Sequence, residues 1–418
     1  MKNFGQENMS RLHNRSAATV LFLISALTLR VPAAAEEDPE AAPSEYLTER
    51  PAYAGLWVNT FGNNFDLTPY TDIIAGEADR PKWGDIETIK GDPDFSNLDT
   101  TLQRCIDRDY YYYAEVWTSH LAPGWLYDNG VPRVEFIGGQ TPLPYYLDEN
   151  YIHYVTNFFN DLAGFIAGLP QSKRSRIVFL QPGFGSTGDR QLYKGTPINS
   201  AYDINTAEYV QFMQTMTIAW HAAFAAHPET ANMKFLWNID DYDGPAEDTA
   251  DQEKKYATWM RANYNCQFRK QQFTPAIGYM ACNEMDQDNE QRDFFYGNTD
   301  RHDGNPEFVR GEFNDAKWAA TMMAKEALPW HYYWTAISSV DRGLDAWECR
   351  PEFITTGNYN EAYAFSTRYS FYKRAERSPY AFIALRDVLD YSDADRFSHL
   401  PGSATRGSLD RINAILAE

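Results

Sequence analysis

The feature that most constrains this chain is a regular alternation of strand-like and helix-like segments between residues 55 and 389. Compact apolar runs recur at Gly55–Phe61, Tyr110–Trp117, Arg176–Leu180, Lys234–Ile239, Ala276–Cys282, Glu307–Phe313 and His331–Ser338. Each is short, and most are rich in aromatic or β-branched residues, as buried strands are. Between and after them lie stretches with apolar residues at helical spacing. These are Phe95–Asp107 with Ser96 as its expected cap, Asn150–Leu169, Ala207–Ala226, Asp248–Asn263, Ala316–Ala327, Asn360–Ala375 and Tyr380–Leu389. Such alternation predicts parallel strands joined by crossover helices. Counting the short Lys82–Glu87 segment as a strand makes eight, the number that closes a barrel. The expectation is an α/β fold, a (β/α)8 TIM barrel forming a single domain over residues 51–418. A doubly wound open sheet would carry a Gly-rich phosphate loop after its first strand, and Asn59–Phe65 offers none.

The N-terminal residues carry an address. Arg11 and Arg15 precede an apolar stretch from Ala17 to Leu29, and Ala33-Ala34-Ala35 supplies small residues for cleavage. Residues 1–35 therefore predict a bacterial signal peptide and a secreted or periplasmic protein. The apolar stretch is shorter than the roughly 20 residues a membrane span needs. Residues 36–50, rich in Glu, Ala and Pro, are expected to be a flexible lead-in. The formal net charge is −21. Losing Lys2, Arg11, Arg15, Arg30 and Glu7 with the signal leaves the mature chain at −24. So acidic a surface argues against nucleic acid or an anionic membrane as partner. Cys105, Cys266, Cys282 and Cys349 are widely spaced, which in an exported chain allows up to two disulfides of open connectivity and fits no zinc pattern.

A barrel opens its active site at the C-terminal ends of its strands. The residues expected there are Glu87, Asp189, Asn238, Asp240, Asp241, Asn283, Glu284 and Glu312, accompanied by Trp57, Trp117, Trp125, Tyr279, Trp330, Trp334 and His331. Carboxylates around a pocket with flat apolar rings suit cleavage of a glycosidic bond. One acid protonates the leaving oxygen, a second carboxylate attacks the anomeric carbon or activates water, and rings stack on the C–H face of a sugar. Structural alternatives stand beside each assignment. Asp189 could cap a turn, Glu312 could cap the helix from Ala316, Glu284 could pair with Arg301 or Arg342, and any single Trp could be core. There is no G-x-S-x-G elbow, no HExxH pair and no P-loop, so no metal or cofactor is expected.

Trp83-Gly84-Asp85-Ile86-Glu87, Gly91 and Asp94-Phe95-Ser96-Asn97-Leu98-Asp99 resemble a segment of clan A glycoside hydrolases, among them the family 42 and family 35 beta-galactosidases. Ala122-Pro123-Gly124-Trp125-Leu126 and Gly130-Val131-Pro132 resemble the loop after their third strand. The likeness is best over residues 53–140. On the fourth strand the chain departs from that pattern. Where clan A carries Asn-Glu, the segment runs Gln181-Pro182-Gly183-Phe184-Gly185-Ser186-Thr187-Gly188-Asp189, which is similar to a loop of family 14 beta-amylases ending in the general acid. These resemblances imply Asp189 as acid and Glu312, near the seventh strand, as nucleophile, with Glu284 as an alternative for either role. Their place at the strand ends makes Trp57, Glu87, Trp117, Trp125, Asn238, Asp240, Tyr279, Asn283, His331 and Trp334 the expected sugar-binding residues. Likeness to clan A implies retention of anomeric configuration, and the amylase-like loop implies inversion. A barrel that binds carbohydrate without cleaving it is the reading from another class.

Overall fold

The computed structural model describes residues 53–185 and 192–238 almost throughout, parts of 255–264, and the strand segments 267–270, 310–312 and 346–349. Among these residues there are eight parallel strands: β1 Gly55–Asn59, β2 Ile74–Asp79, β3 Tyr111–Trp117, β4 Ile177–Gly183, β5 Leu236–Asn238, β6 Gln267–Lys270, β7 Arg310–Glu312 and β8 Ala346–Cys349. Their hydrogen-bonded order is β4-β3-β2-β1-β8-β7-β6-β5. A parallel bridge between Leu180 of β4 and Phe235, beside β5, joins the two ends of that row. There the Leu180 amide donates to the Lys234 carbonyl at 3.3 Å. The sheet is closed into a barrel, so no strand edge is left open.

The strands do not all fall where the apolar runs predicted. Lys82–Glu87 is not a strand: Trp83–Ile86 forms a single helical turn, and the second strand is Ile74–Asp79. That strand reads poorly in sequence because it carries Glu77 and Asp79 in alternation, and both are buried on the face toward the helices. β6 and β8 were likewise unmarked by any apolar run. The expected strands at 276–282 and 331–338 lie outside the described residues.

Side chains alternate between two apolar compartments. Trp57, Ala78, Tyr113, Phe179 and Leu236 meet inside the barrel and form its floor. Leu56, Val58, Tyr112, Ala114, Val116 and Leu180, one residue out of phase, pack outward with the helices α1 Ser96–Asp107, α2 Glu149–Gly168 and α3 Thr206–Ala225. No described helix is long and apolar enough to cross a membrane.

The segment resembling clan A enzymes has a mechanical purpose. The Trp83 indole donates to Glu87 at 2.6 Å, and the other oxygen of Glu87 accepts the Gly91 amide at 2.7 Å. Gly91 takes a left-handed backbone (φ 76°), which glycine adopts without strain. Asp94, rather than Ser96, satisfies the start of α1, accepting the Ser96 amide at 2.9 Å. Phe95 stacks on Phe165 with ring centres 4.7 Å apart, and Trp83 stacks on Phe158 at 5.3 Å. The segment thus locks the chain after β2 onto α2. Cys105 of α1 is buried and forms no disulfide.

The floor leaves no spare volume at Gly76, where an added Cβ would lie 2.6 Å from the Trp57 ring. Gly76→Ala is expected to destabilise the fold by about 1–3 kcal/mol through overpacking. A lower urea midpoint with an unchanged m-value would register it.

Candidate active site

Above the apolar floor the inward positions turn polar. Asn59 ends β1, Arg80 directly follows β2, Glu115 and Trp117 occupy the last turns of β3, Gln181 lies two residues before the end of β4, and Glu348 one residue before the end of β8. All but Trp117 are buried. Arg80 organises them. Its Nε donates to Glu115 at 3.1 Å and its Nη2 to Glu348 at 3.2 Å, so one guanidinium ties β3 to β8 across the barrel. Each of these carboxylates is only 1 % exposed. An isolated buried carboxylate is expensive, and the planar fork of an arginine is the group that offsets two of them at once. Glu312, the last residue of β7, stands in backbone register with Glu348. The strand ends therefore bring a third carboxylate-bearing residue to the same level of the ring.

Among the described residues, Oδ1 of Asn59, Nε1 of Trp117 and Nε2 of Gln181 make no hydrogen bond. Buried groups of this kind cost about 1–3 kcal/mol each when left unsatisfied, so each calls for a functional or structural reason. Trp117 is half-buried, with the His120 ring edge-on at 5.2 Å. It provides a flat aromatic face at the rim.

The aim of Arg80 is set from outside the barrel. Asp79 accepts the Arg80 backbone amide at 2.7 Å and the Tyr112 hydroxyl at 3.0 Å. Glu77, on the same outward face, is held by Thr60 at 2.6 Å and by an ion pair with Arg104. Burial raises the Asp79 pKa above its ordinary 3.8, against the lowering effect of its two hydrogen bonds, and nearby Glu77 adds to the rise.

The expected site residues divide into three groups. Trp117 ends β3, Glu312 ends β7 and Asn238 ends β5. Three others have different tasks. Trp57, 1 % exposed, is part of the floor and its indole donates to the Tyr53 carbonyl at 2.9 Å, so no face is open to a sugar. Glu87 is consumed by Trp83 and Gly91. Trp125 donates to the Glu87 carbonyl at 2.7 Å and packs against Trp83 and Tyr154 beside α2. These are corrections: the apolar or acidic character of the three serves packing outside the mouth. Asp189, Asp240, Tyr279, Asn283, Glu284, His331 and Trp334 lie outside the described residues. Asn59, Arg80, Glu115, Gln181 and Glu348 went unnoticed in the sequence. A signal existed for Glu115, a lone acid two residues before Trp117 in an otherwise apolar run, because that spacing puts both on one face of a strand.

No protein-family model matches this sequence, and no curated protein matches it. Similar solved structures include the native xylanase 10B from Thermotoga maritima, at 11 % identity and TM-score 0.40 over 74 % of this chain and 86 % of that one. ZgEngAGH5_4 in complex with a cellotriose is 13 % identical, with TM-score 0.48 over 79 % of this chain and 98 % of that one. A trimodular GH5_4 subfamily endoglucanase is 10 % identical, with TM-score 0.48 over 79 % of this chain and 62 % of that one. Likeness this distant carries no argument about chemistry; the barrel stands on its own strand order and closure.

Two outcomes follow from the charges. Arg80→Met strands Glu115 and Glu348 in the interior and is expected to cost about 3–5 kcal/mol in denaturant unfolding, with much of it regained when both acids become Gln. Between pH 3.8 and its raised folded-state value, Asp79 keeps a proton that the unfolded chain has released. Its contribution to stability therefore falls as pH rises through that window. Urea midpoints measured against pH should lose this slope in Asp79→Asn.

Proposed function

We propose that this chain is an exported glycoside hydrolase that cleaves an O-glycosidic bond at the C-terminal mouth of its barrel, using side-chain carboxyl groups. The observation that carries this reading is the cluster at the strand ends. Two buried carboxylates, Glu115 and Glu348, share Arg80, Glu312 is in register beside Glu348, and Trp117 stands half-open at the rim. Paired with Arg80, Glu115 and Glu348 are hydrogen-bond acceptors, a property suited to sugar hydroxyls.

The finer assignments rest on resemblance, to clan A beta-galactosidases for Glu312 and to the family 14 beta-amylase loop for Asp189. Glu312 acts as nucleophile on the anomeric carbon, and Asp189 acts as acid and then base. A glycosyl-enzyme ester forms as the leaving oxygen takes the proton, and water then releases the sugar with its configuration retained. Asn238, Asp240, Asn283, Tyr279, His331 and Trp334 complete the subsites in this scheme, and Glu284 is the alternative for either catalytic role. The substrate is a β-galactoside-containing oligo- or polysaccharide. Residues 1–35 direct the protein out of the cytoplasm.

One observation favours a second reading. The fourth strand presents the amide of Gln181 inward, in the strand where clan A enzymes carry their acid, as a barrel that binds without cleaving would. Titration with oligosaccharides separates the two, since binding without product release supports the non-catalytic protein.

A panel of aryl β-glycosides, para-nitrophenyl β-D-galactoside among them, should reveal turnover by the wild type. Glu312→Ala is expected to lose activity by orders of magnitude while keeping its unfolding midpoint. A variant retaining more than about a tenth of normal turnover would remove Glu312 from the mechanism. Proton NMR of the first product should show the anomer of the substrate; the opposite anomer would establish inversion.

A further inference from the structure

We propose that Gln181 is a substrate-contacting residue whose amide nitrogen donates a hydrogen bond to an oxygen of the bound saccharide. This deepens the glycoside hydrolase reading and rests on it. Gln181 occupies an inward position on β4, in register with Glu115 on β3, and is fully buried. The Tyr113 hydroxyl donates to its Oε1 at 2.6 Å. Tyr113 is itself fixed in the barrel floor among Trp57, Ala78, Phe179 and Leu236. The carbonyl oxygen is tied to the floor by this bond. Nε2 lies on the side of the amide away from Tyr113 and has no hydrogen-bond partner among the described residues.

An amide nitrogen brings two N–H donors, and leaving them buried and unmet is unfavourable. What the position offers is an oriented donor at the end of the barrel where Glu115 and Glu348 supply acceptors, and where the Asn59 oxygen and the Trp117 indole N–H are also unmet. A sugar hydroxyl both donates and accepts, so a mixed set of this kind matches it better than a single charge would. The amide does not titrate, so Gln181 contributes binding and orientation and no proton. Tyr113 acts through it, as a positioning residue.

The test uses the mature full-length protein and a series of para-nitrophenyl β-D-glycosides. Gln181→Ala should lower kcat/KM by about 10- to 100-fold, as loss of one buried hydrogen bond to the substrate would. The pH profile should keep its shape, because the amide carries no titrating proton. Gln181→Glu retains size but replaces donors with acceptors; it should lose at least as much activity and acquire an altered pH profile, because a carboxylate then faces Glu115. Tyr113→Phe, which keeps the ring and frees the carbonyl, should show a smaller loss in the same direction. If Gln181→Ala does not fold, Gln181→Glu and Tyr113→Phe carry the comparison. A wild type active on any member, with all folded variants within twofold of it, overturns the role of Gln181 alone. A wild type that neither binds nor cleaves any member overturns the glycoside hydrolase reading, and this role with it.

Discussion

The interior of this barrel depends on one guanidinium. Arg80 reaches inward from the end of β2 and bonds to Glu115 and Glu348 on the strands at either side of the mouth. None of these three charges would be tolerable there alone, because the low-dielectric interior penalises each until it is paired. Pairing makes them interdependent: the position of each carboxylate is a consequence of where the fork points. The backbone of Arg80 is in turn tied to Asp79, which faces the helices and is held by Tyr112. Strand alternation thus connects an ion-pair network inside the barrel with a carboxylate network outside it through a single peptide bond.

Below Arg80, the floor of Trp57, Ala78, Tyr113, Phe179 and Leu236 excludes water and gives the polar layer something rigid to stand on. Tyr113 belongs to both layers, with its ring in the floor and its hydroxyl on Gln181. The polar layer can therefore carry unmet donors and acceptors without collapsing around them, since close-packed interiors leave little freedom to rearrange. Such preorganisation is what a site recognising a neutral, hydroxyl-rich ligand requires.

The segment from Trp83 to Asp99, the part most like clan A enzymes, builds none of this directly. Its hydrogen bonds and ring stacks run from Trp83 through Glu87 and Gly91 to Phe95, and they fasten the connection after β2 to α2. A motif of this kind marks a barrel of a certain construction. It reports on the scaffold more than on the reaction, and this is why Glu87 and Trp125 looked like site residues and are braces.

By itself the sequence determined the architecture. Strands buried on both faces tend to be near-continuous apolar runs, so β1, β3, β4 and β5 were legible, and alternation with amphipathic helices dictated parallel pairing. β2 was hidden because Glu77 and Asp79 become buriable only when Arg104, Arg108 and Tyr112 arrive from later in the chain. The polar layer was hidden for the same reason. Arg80 meets Glu115 across 35 residues and Glu348 across 268. No local pattern encodes a charge pair whose members are brought together only by closing the barrel. Periodicity reports which side of a strand a residue occupies, while tertiary structure alone decides what waits on the other side of the mouth.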